Sequence, residues 1–401
     1  MKKMRVLCFG SLNYDHVYDV DHFVKPEETL KSRGYKLNYG GKGLNQSIAC
    51  HKAGLDVYHA GAIGNDGEAL RSYLSKHNIN CDYILNKEEP TGHAIIQVAN
   101  GQNNIIIYQG ANACIDHSDI KEVLSHFWAN DLLLIQNEVS NLSELIHEAH
   151  ARHMRIVLNL APMDQSAKDY PLEKVDTLIV NEIEAMELVE ASEDIDDILS
   201  RLKEQFYDQE VIMTVGEKGS YHLYQGECFH VDAYDTDVVD TTAAGDTFIG
   251  YYLAMRERFS IVEAMRIASL ASSMTCQKSG AAQSIPECDE VLSSYYLLKT
   301  KNLVSLTDHD VTWKQGPFKK IPVFYDNTKE WTYQFYKHHL LDEDYKLHYE
   351  MIKDKEIESL SVNEALTMIT YYIREERTHT GVMAHALQEG VLHQLDQLIR
   401  G

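Results

Sequence analysis

The chain has no apolar run of the roughly 18 residues that a membrane-spanning helix needs, so no such span is expected. It has no CxxC pair and no HExxH, and its seven cysteines (Cys8, Cys50, Cys81, Cys114, Cys228, Cys276 and Cys288) are scattered and odd in number. That pattern speaks against a disulfide framework and a cysteine zinc site. It fits reduced thiols and an expected cytoplasmic location. Basic residues are in short supply: 37 Lys and Arg against 61 Asp and Glu, a net charge of −24. No nucleic-acid or anionic-membrane partner is expected of such a surface. A site for an anion must then be made locally positive by N–H dipoles, metal ions and a few lysines.

What the chain does have is length, 401 residues, and 44% hydrophobic content, enough to bury a full core and to suggest two units. Over the first 300 residues, short β-rich runs alternate with amphipathic ones, the mark of a doubly wound α/β sheet. The pattern predicts strands over 6–10, 57–63, 131–136, 155–159, 177–180 and 211–215, and helices over 45–53, 67–77 and 142–151. The basic opening leads only into the short apolar run 6–9, which reads as a first buried strand rather than a signal peptide. Asn13, Glu138, Asn159, Asn181 and Gly216 each follow a predicted strand, where ligands of open α/β sheets sit. Segments 16–23 with 30–39, and 91–98 with 104–110 across Asn100-Gly101, read as hairpins.

The most informative stretch is Asp240-Thr241-Thr242-Ala243-Ala244-Gly245-Asp246-Thr247-Phe248. Beyond it, Phe248, Tyr251, Tyr252 and Met255 keep helical spacing. A helix start near Gly245 offers free N–H groups to an anion. Asp246 has two readings there. It is an ordinary helix-capping Asp, or it takes a proton from a hydroxyl while the N–H groups hold a transferring phosphoryl group. A second segment, Asn38-Tyr39-Gly40-Gly41-Lys42-Gly43-Leu44-Asn45-Gln46, sets glycines around a lysine ahead of a helical run. Glycines let a backbone pass close to a ligand. This is not a Walker-type loop, because G-x-x-x-x-G-K-[ST] is absent.

Together the two segments make the chain resemble the ribokinase-like (PfkB-type) sugar kinases. Further motifs follow in that family's order. Gly10-Ser11-Leu12-Asn13-Tyr14-Asp15 resembles its sugar-binding strand and Thr91-Gly92 the start of its lid. Asn181-Glu182-Ile183-Glu184 matches its N-x-x-E motif, and Thr214-Val215-Gly216-Glu217-Lys218-Gly219 its T-x-G-x-x-G nucleotide loop. The likeness runs from Met4 to Leu298.

The resemblance implies an α/β fold, a ribokinase-like doubly wound sandwich over residues 1–299 with a small β-sheet lid from segments 13–39 and 91–110. It implies Asp246 as the base, with the N–H groups of Ala243, Ala244 and Gly245 on the transferring phosphate. Asn13, Asp15, Gly41, Lys42, Asn45 and Glu138 would bind sugar. Asn181, Thr214, Gly216 and Gly219 would bind ATP, and Glu184 would organise magnesium through water. A potassium ion is expected at Asp240, Thr242, Thr275, Lys278, Gly280 and Ser284, although Lys278 stands where the family carries arginine. The implied activity is ATP-dependent phosphorylation of a small sugar on a primary hydroxyl. The motifs look more like ribokinase than fructokinase or adenosine kinase, so ribose is the expected substrate and a homodimer the expected assembly. A nucleoside kinase remains an alternative, as does a family member that only senses sugar. Locally, Asn13 also reads as an Asx turn, Lys42 as a solvated loop lysine and Glu184 as a first-turn acid.

Residues 300–401 lie outside the resemblance. They are rich in aromatics, among them Trp313, Trp331, Tyr333, Phe335, Tyr336, Tyr345 and Tyr349. Ser361-Val362-Asn363-Glu364 is a capping box that should open a helix reaching 377. A second amphipathic helix is expected from 380 onward, with Leu387, Leu392, Leu395 and Ile399 on its apolar side. The expectation is a folded α-rich domain of unknown function that the chemistry does not need. The 20 histidines, His147, His150 and His338-His339 among them, read as surface or packing residues.

Overall fold

The computed structural model describes residues 4–100, 102–300, 306, 311–315, 320–324, 326–337, 340–342 and 344–400. Gly101 and His338-His339 lie outside the described residues. The chain divides into two compact units, Met1–Glu287 and Cys288–Gly401. The boundary thus falls before the helix Cys288–Thr300 rather than after residue 299. The reason is packing: Tyr296 and Leu297 lie against the core of the second unit, and Thr300 Oγ1 donates to the Ile399 carbonyl.

The first unit is built on a nine-stranded sheet. Edge to edge its strands are Glu227–Val231, Ser220–Tyr224, Glu210–Thr214, Thr177–Asn181, Arg155–Asn159, Leu132–Gln136, Arg5–Phe9, Asp56–Ile63 and Asn80–Asn86. Pairing is parallel throughout except for the first two, which join antiparallel. Central strands such as Leu132–Gln136 are buried along their whole length, because helices cover both faces of a parallel sheet. Each predicted strand forms within one residue of its expected limits.

A separate four-stranded sheet orders Gly34–Gly40, Asn13–Asp19, Gly92–Ala99 and Gln102–Tyr108. The expected hairpins are its antiparallel pairs. Its second strand begins at Asn13, earlier than the hairpin pattern alone predicted, so Asn13 and Asp15 belong to this sheet, as the lid segment 13–39 implied. Two helices, Lys42–Lys52 and Ala244–Arg256, pack together beside the main sheet. Gly250 makes that possible: a Cβ there would lie 2.5 Å from the Ala49 Cβ. The crossing brings the start of each helix, and hence the two informative motifs, to one place.

The second unit has its own core, with Trp331, Phe335, Ile369, Leu392, Leu395 and Ile399 fully enclosed. Trp331 Nε1 donates to buried Asp396 at 2.7 Å. The capping box at Ser361 and Glu364 opens the helix Val362–Glu375, as its sequence predicts. The single long helix expected from 380 is instead two, Val382–Gln388 and Val391–Leu398. Gly390, at φ 77°, takes the left-handed conformation that ends a helix. The unit also holds an antiparallel hairpin, Val311–Gln315 with Lys320–Phe324, that the helical pattern did not suggest.

Candidate active site

The helix Ala244–Arg256 starts without a side-chain cap. Ala243 occupies the N-cap position at φ 62°, ψ 7°. Ala244 N–H turns back to the Thr241 carbonyl at 3.2 Å, so it is not available in the way the motif suggested. Gly245 N–H belongs to the first turn, which has no intrahelical acceptors. Asp246 lies inside this first turn, so the helix-capping reading fails. Its carboxyl is 8% exposed, and each oxygen accepts one amide N–H. Asn45 Nδ2 donates to Oδ2 at 3.0 Å and Gln46 Nε2 to Oδ1 at 2.9 Å. Both donors come from the N-terminal part of the helix Lys42–Lys52, as its fourth and fifth residues.

Lys42 faces three carboxylates. Burial pulls its pKa down, but Asp246, Glu138 and Glu184 outweigh that and hold it above its ordinary value. It is not a solvated loop lysine. Glu138 is half-buried and its pKa is raised, chiefly by desolvation against the opposing pull of Lys42. It accepts the Lys42 backbone N–H at 3.0 Å and the Ser11 hydroxyl. Asp15 is pushed up to about 7, first by burial and then by the charge of Glu138. Asn13 is 5% exposed, and its Oδ1 accepts from Asn112 Nδ2 at 2.8 Å. That tertiary contact replaces the Asx turn. Gly41, at φ 95°, is the N-cap residue before Lys42.

A cavity of about 200 Å³ opens beside Asp246. Its wall includes Lys42, Asn159, Asn181, Glu184, Thr214, Thr241, Ala243 and Gly245. Six distant motif residues, Lys42, Asn181, Glu184, Thr214, Gly245 and Asp246, thus meet in one space. Asn181 and Glu184 form a reciprocal cap: Asn181 Oδ1 accepts Glu184 N–H at 2.9 Å, and Glu184 Oε2 accepts Asn181 N–H at 2.8 Å. The first-turn reading of Glu184 is therefore structurally true, and its carboxylate still faces the cavity. Burial raises its pKa. Asn13, Asp15, Gly216 and Gly219 are not in this wall. Gly216 starts a short turn after Thr214. Gly219 backs onto the Val231 carbonyl, which a Cβ would meet at 2.0 Å, so its side chain is excluded by the sheet.

The proposed cation residues are only partly joined. Asp240 Oδ1 accepts both the N–H and the hydroxyl of Thr242, at 2.9 and 2.6 Å, and Oδ2 accepts Gly280 N–H at 2.9 Å. Burial alone would raise the Asp240 pKa, but these bonds together lower it. Thr275 is buried and bonds Thr247 Oγ1 at 3.0 Å, its carbonyl accepts Lys278 N–H at 3.1 Å, and Ser284 Oγ bonds the Ala281 carbonyl at 2.7 Å. On the surface, His117, Glu144 and Glu148 place ligand atoms within 4.8 Å of one another. Arg152 sits on Glu148 at 2.5 Å, and that positive charge opposes a metal ion.

Sequence reasoning missed Gln46, Gln136, Asn112 and Ser11 as site-forming residues. Gln46 follows Asn45 directly, but only the crossing of two helices aims both side chains at Asp246. Gln136 and Asn112 touch their partners across 90 and 99 residues of chain, a pairing that no local pattern carries.

The pattern of the pfkB family carbohydrate kinases matches residues 3–288. The ribokinase of Haemophilus influenzae is 33% identical over 293 residues, covering 71% of this chain and 95% of that protein. A bifunctional ribokinase/ribose-5-phosphate isomerase A from Fructilactobacillus sanfranciscensis is 35% identical, covering 73% of this chain and 56% of that protein. Among solved structures, Arabidopsis thaliana ribokinase complexed with ribose and ATP superposes with a TM-score of 0.66 at 29% identity, covering 73% of this chain and 98% of that one.

Proposed function

The chain belongs to the pfkB family of carbohydrate kinases, and on that footing we propose that it phosphorylates ribose at its primary hydroxyl, with ATP as donor and Asp246 as base. Membership makes it a phosphotransferase with an alcohol acceptor. The observation that carries the finer reading is the setting of Asp246: a buried carboxylate at a cavity that also receives Lys42, Glu184, Asn181 and the start of its own helix. An Arabidopsis relative is complexed with ribose and ATP, and ribokinases are among the relatives that match.

The chemistry follows from the placement. The sugar hydroxyl gives its proton to Asp246 as its oxygen attacks the terminal phosphorus, and the bond to ADP breaks. Gly245 N–H and the helix start stabilise the charge on the transferring group. Asn45, Asp15, Asn13 and Glu138 hold the other hydroxyls, and Lys42 offsets the acids around them. Asn45 Oδ1 is buried with no partner among the described residues, which suits a donor brought by the sugar. Asn181, Thr214, Gly216 and Gly219 lie on the ATP side.

The family implies magnesium, and Glu184 fits it. Its Oε2 is taken by Asn181 N–H while Oε1 has no hydrogen-bond partner among the described residues. An anionic oxygen at a cavity suits a hydrated divalent ion. When bound, magnesium neutralises charge on the phosphate oxygens. Asp240 and the Thr275–Ser284 segment, joined through Gly280, offer the hard oxygens that suit a potassium ion. Their position just ahead of the helix that carries Asp246 links such an ion to the phosphoryl-binding N–H groups.

A homodimer through the lid sheet is the assembly we infer. The edge strand Gln102–Tyr108 exposes Ile105, Ile106 and Ile107, the middle one at 64%, and an exposed apolar edge marks an interaction surface. Release of ADP with ribose, fructose and adenosine as acceptors tests the function. Ribose should lead. Preference for adenosine would make the protein a nucleoside kinase, and no turnover with any acceptor would leave a sugar-binding protein.

A further inference from the structure

A row of buried amides runs from the sheet to the catalytic carboxylate. Gln136, at the end of the strand Leu132–Gln136, donates Nε2 to Gln46 Oε1 at 2.7 Å. Gln46 Nε2 then donates to Asp246 Oδ1 at 2.9 Å and to Asn159 Oδ1 at 3.0 Å. Asn159 is itself oriented, because its Nδ2 donates to the Ile179 carbonyl at 3.2 Å. Gln46 and Gln136 are fully buried, and Asn159 is 7% exposed.

The direction of the Gln46 amide is fixed by its neighbours, while Gln136 keeps its Oε1 buried without a partner among the described residues. Gln46 has two N–H bonds and uses one on Asp246 and one on Asn159. If its amide turned over, its oxygen would face two other oxygens, and its NH₂ would face the NH₂ of Gln136. Both contacts repel. Gln136 therefore holds Gln46 with the donor side toward Asp246.

We propose that Gln46 and Gln136 are positioning residues for the phosphoryl transfer: Gln136 locks the Gln46 amide, and Gln46 holds one oxygen of Asp246 while Asn45 holds the other. The Asp246 carboxylate is thereby fixed in rotation before the sugar arrives. This rests on Asp246 being the base. Both glutamines are fully buried, and the two N–H groups of Gln46 are already taken by Asp246 and Asn159, so neither is placed among the sugar ligands. Loss of either should act on turnover and not on binding.

The test is steady-state kinetics on full-length protein with ribose and ATP. Gln46→Met keeps the length and removes the donor. Its kcat should fall about 10- to 100-fold, with both KM values within about twofold and the melting temperature close to wild type. Gln136→Met should lower kcat less, about 3- to 10-fold. The discriminating arm is the double variant with Asp246→Asn. Residues that act as one unit are not additive, so Gln46→Met should cost nothing further once Asp246 is changed. A wild-type kcat in both methionine variants would overturn the proposal. So would a multiplicative loss in the double variant, or a rise in both KM values with a lowered melting temperature, since these mark a structural role. Should Asp246→Asn alone keep its activity, the base assignment fails first and takes the positioning role with it. An inactive Asp246→Asn beside a fully active Gln46→Met removes the positioning role alone.

Discussion

Asn45 donates its side-chain amide to Asp246 at 3.0 Å while its own side-chain oxygen is buried without a partner among the described residues. One end of the side chain serves the base and the other is left for a donor that the protein does not supply. An unsatisfied buried oxygen costs free energy until a ligand fills it. The pair thus ties substrate recognition to the geometry of the base.

Asn45→Ala should therefore weaken sugar handling and spare ATP. One lost hydrogen bond corresponds to roughly a 3- to 10-fold rise in the KM for ribose. The lost contact to Asp246 should lower kcat as well. Steady-state kinetics with each substrate varied in turn check this. An equal rise in both KM values would mean that Asn45 does not face the sugar.

Asp15 gives a pH dependence with a fixed sign. Its pKa is about 7 in the folded protein against an ordinary 3.8. Between those values the folded protein keeps a proton that the unfolded chain has released. Stability without ligand should then fall as pH rises from about 4 to about 7 and level off above. Asp15→Asn removes that contribution, so its melting temperature should gain on wild type across the interval. Ribose hydroxyls donate to the charged form, so calorimetry should find ribose bound more tightly at pH 8 than at pH 5.5. Parallel melting curves and a pH-independent affinity would contradict the account.

Potassium should raise turnover above sodium at matched ionic strength. The Asp240 carboxylate joins Thr242 to Gly280, and an ion held there would fix the loop that leads into Ala243 and Gly245. Asp240→Ala should abolish the difference between the two salts. Identical rates in potassium, sodium and a bulky organic cation would remove the site.

The second unit should be dispensable for chemistry. Within its aromatic stretch, Trp331 and Phe335 are wholly enclosed in the unit's own core. A chain ending at Glu287 should keep the ribose KM within about threefold, though it will need checking by light scattering for altered assembly. A soluble, folded and inactive truncation would make the second unit part of the active site.

Much of this was legible in the sequence because it is local. Alternating apolar runs placed the main strands, the Asn100 hairpin and the Ser361 capping box. Gly40–Gly43, Asn181–Glu184 and Asp240–Asp246 named residues, Lys42, Asn181, Glu184, Gly245 and Asp246 among them, that the structure brings to one cavity. What stayed hidden depends on distant partners. The hairpin pattern began only at His16 because nothing nearby shows that Asn13 and Asp15 pair with Gly34–Gly40 and Gly92–Ala99. The tail pattern looked like one helix because apolar spacing continues through Gly390, where only the backbone angle changes. Gln46 looked like filler beside Asn45, since its worth lies in Gln136 and Asp246.

The central claim is that Asp246 takes the proton from the primary hydroxyl of ribose. Phosphorus NMR on the product of ATP and ribose, for wild type and Asp246→Asn, tests it most directly. Wild type should give a phosphate ester on the primary carbon and no product from 5-deoxyribose. Asp246→Asn should be slower by about 10²- to 10⁴-fold, with ribose still bound. An Asn variant that keeps more than about a tenth of wild-type kcat, or a phosphate on a secondary carbon, would contradict the account.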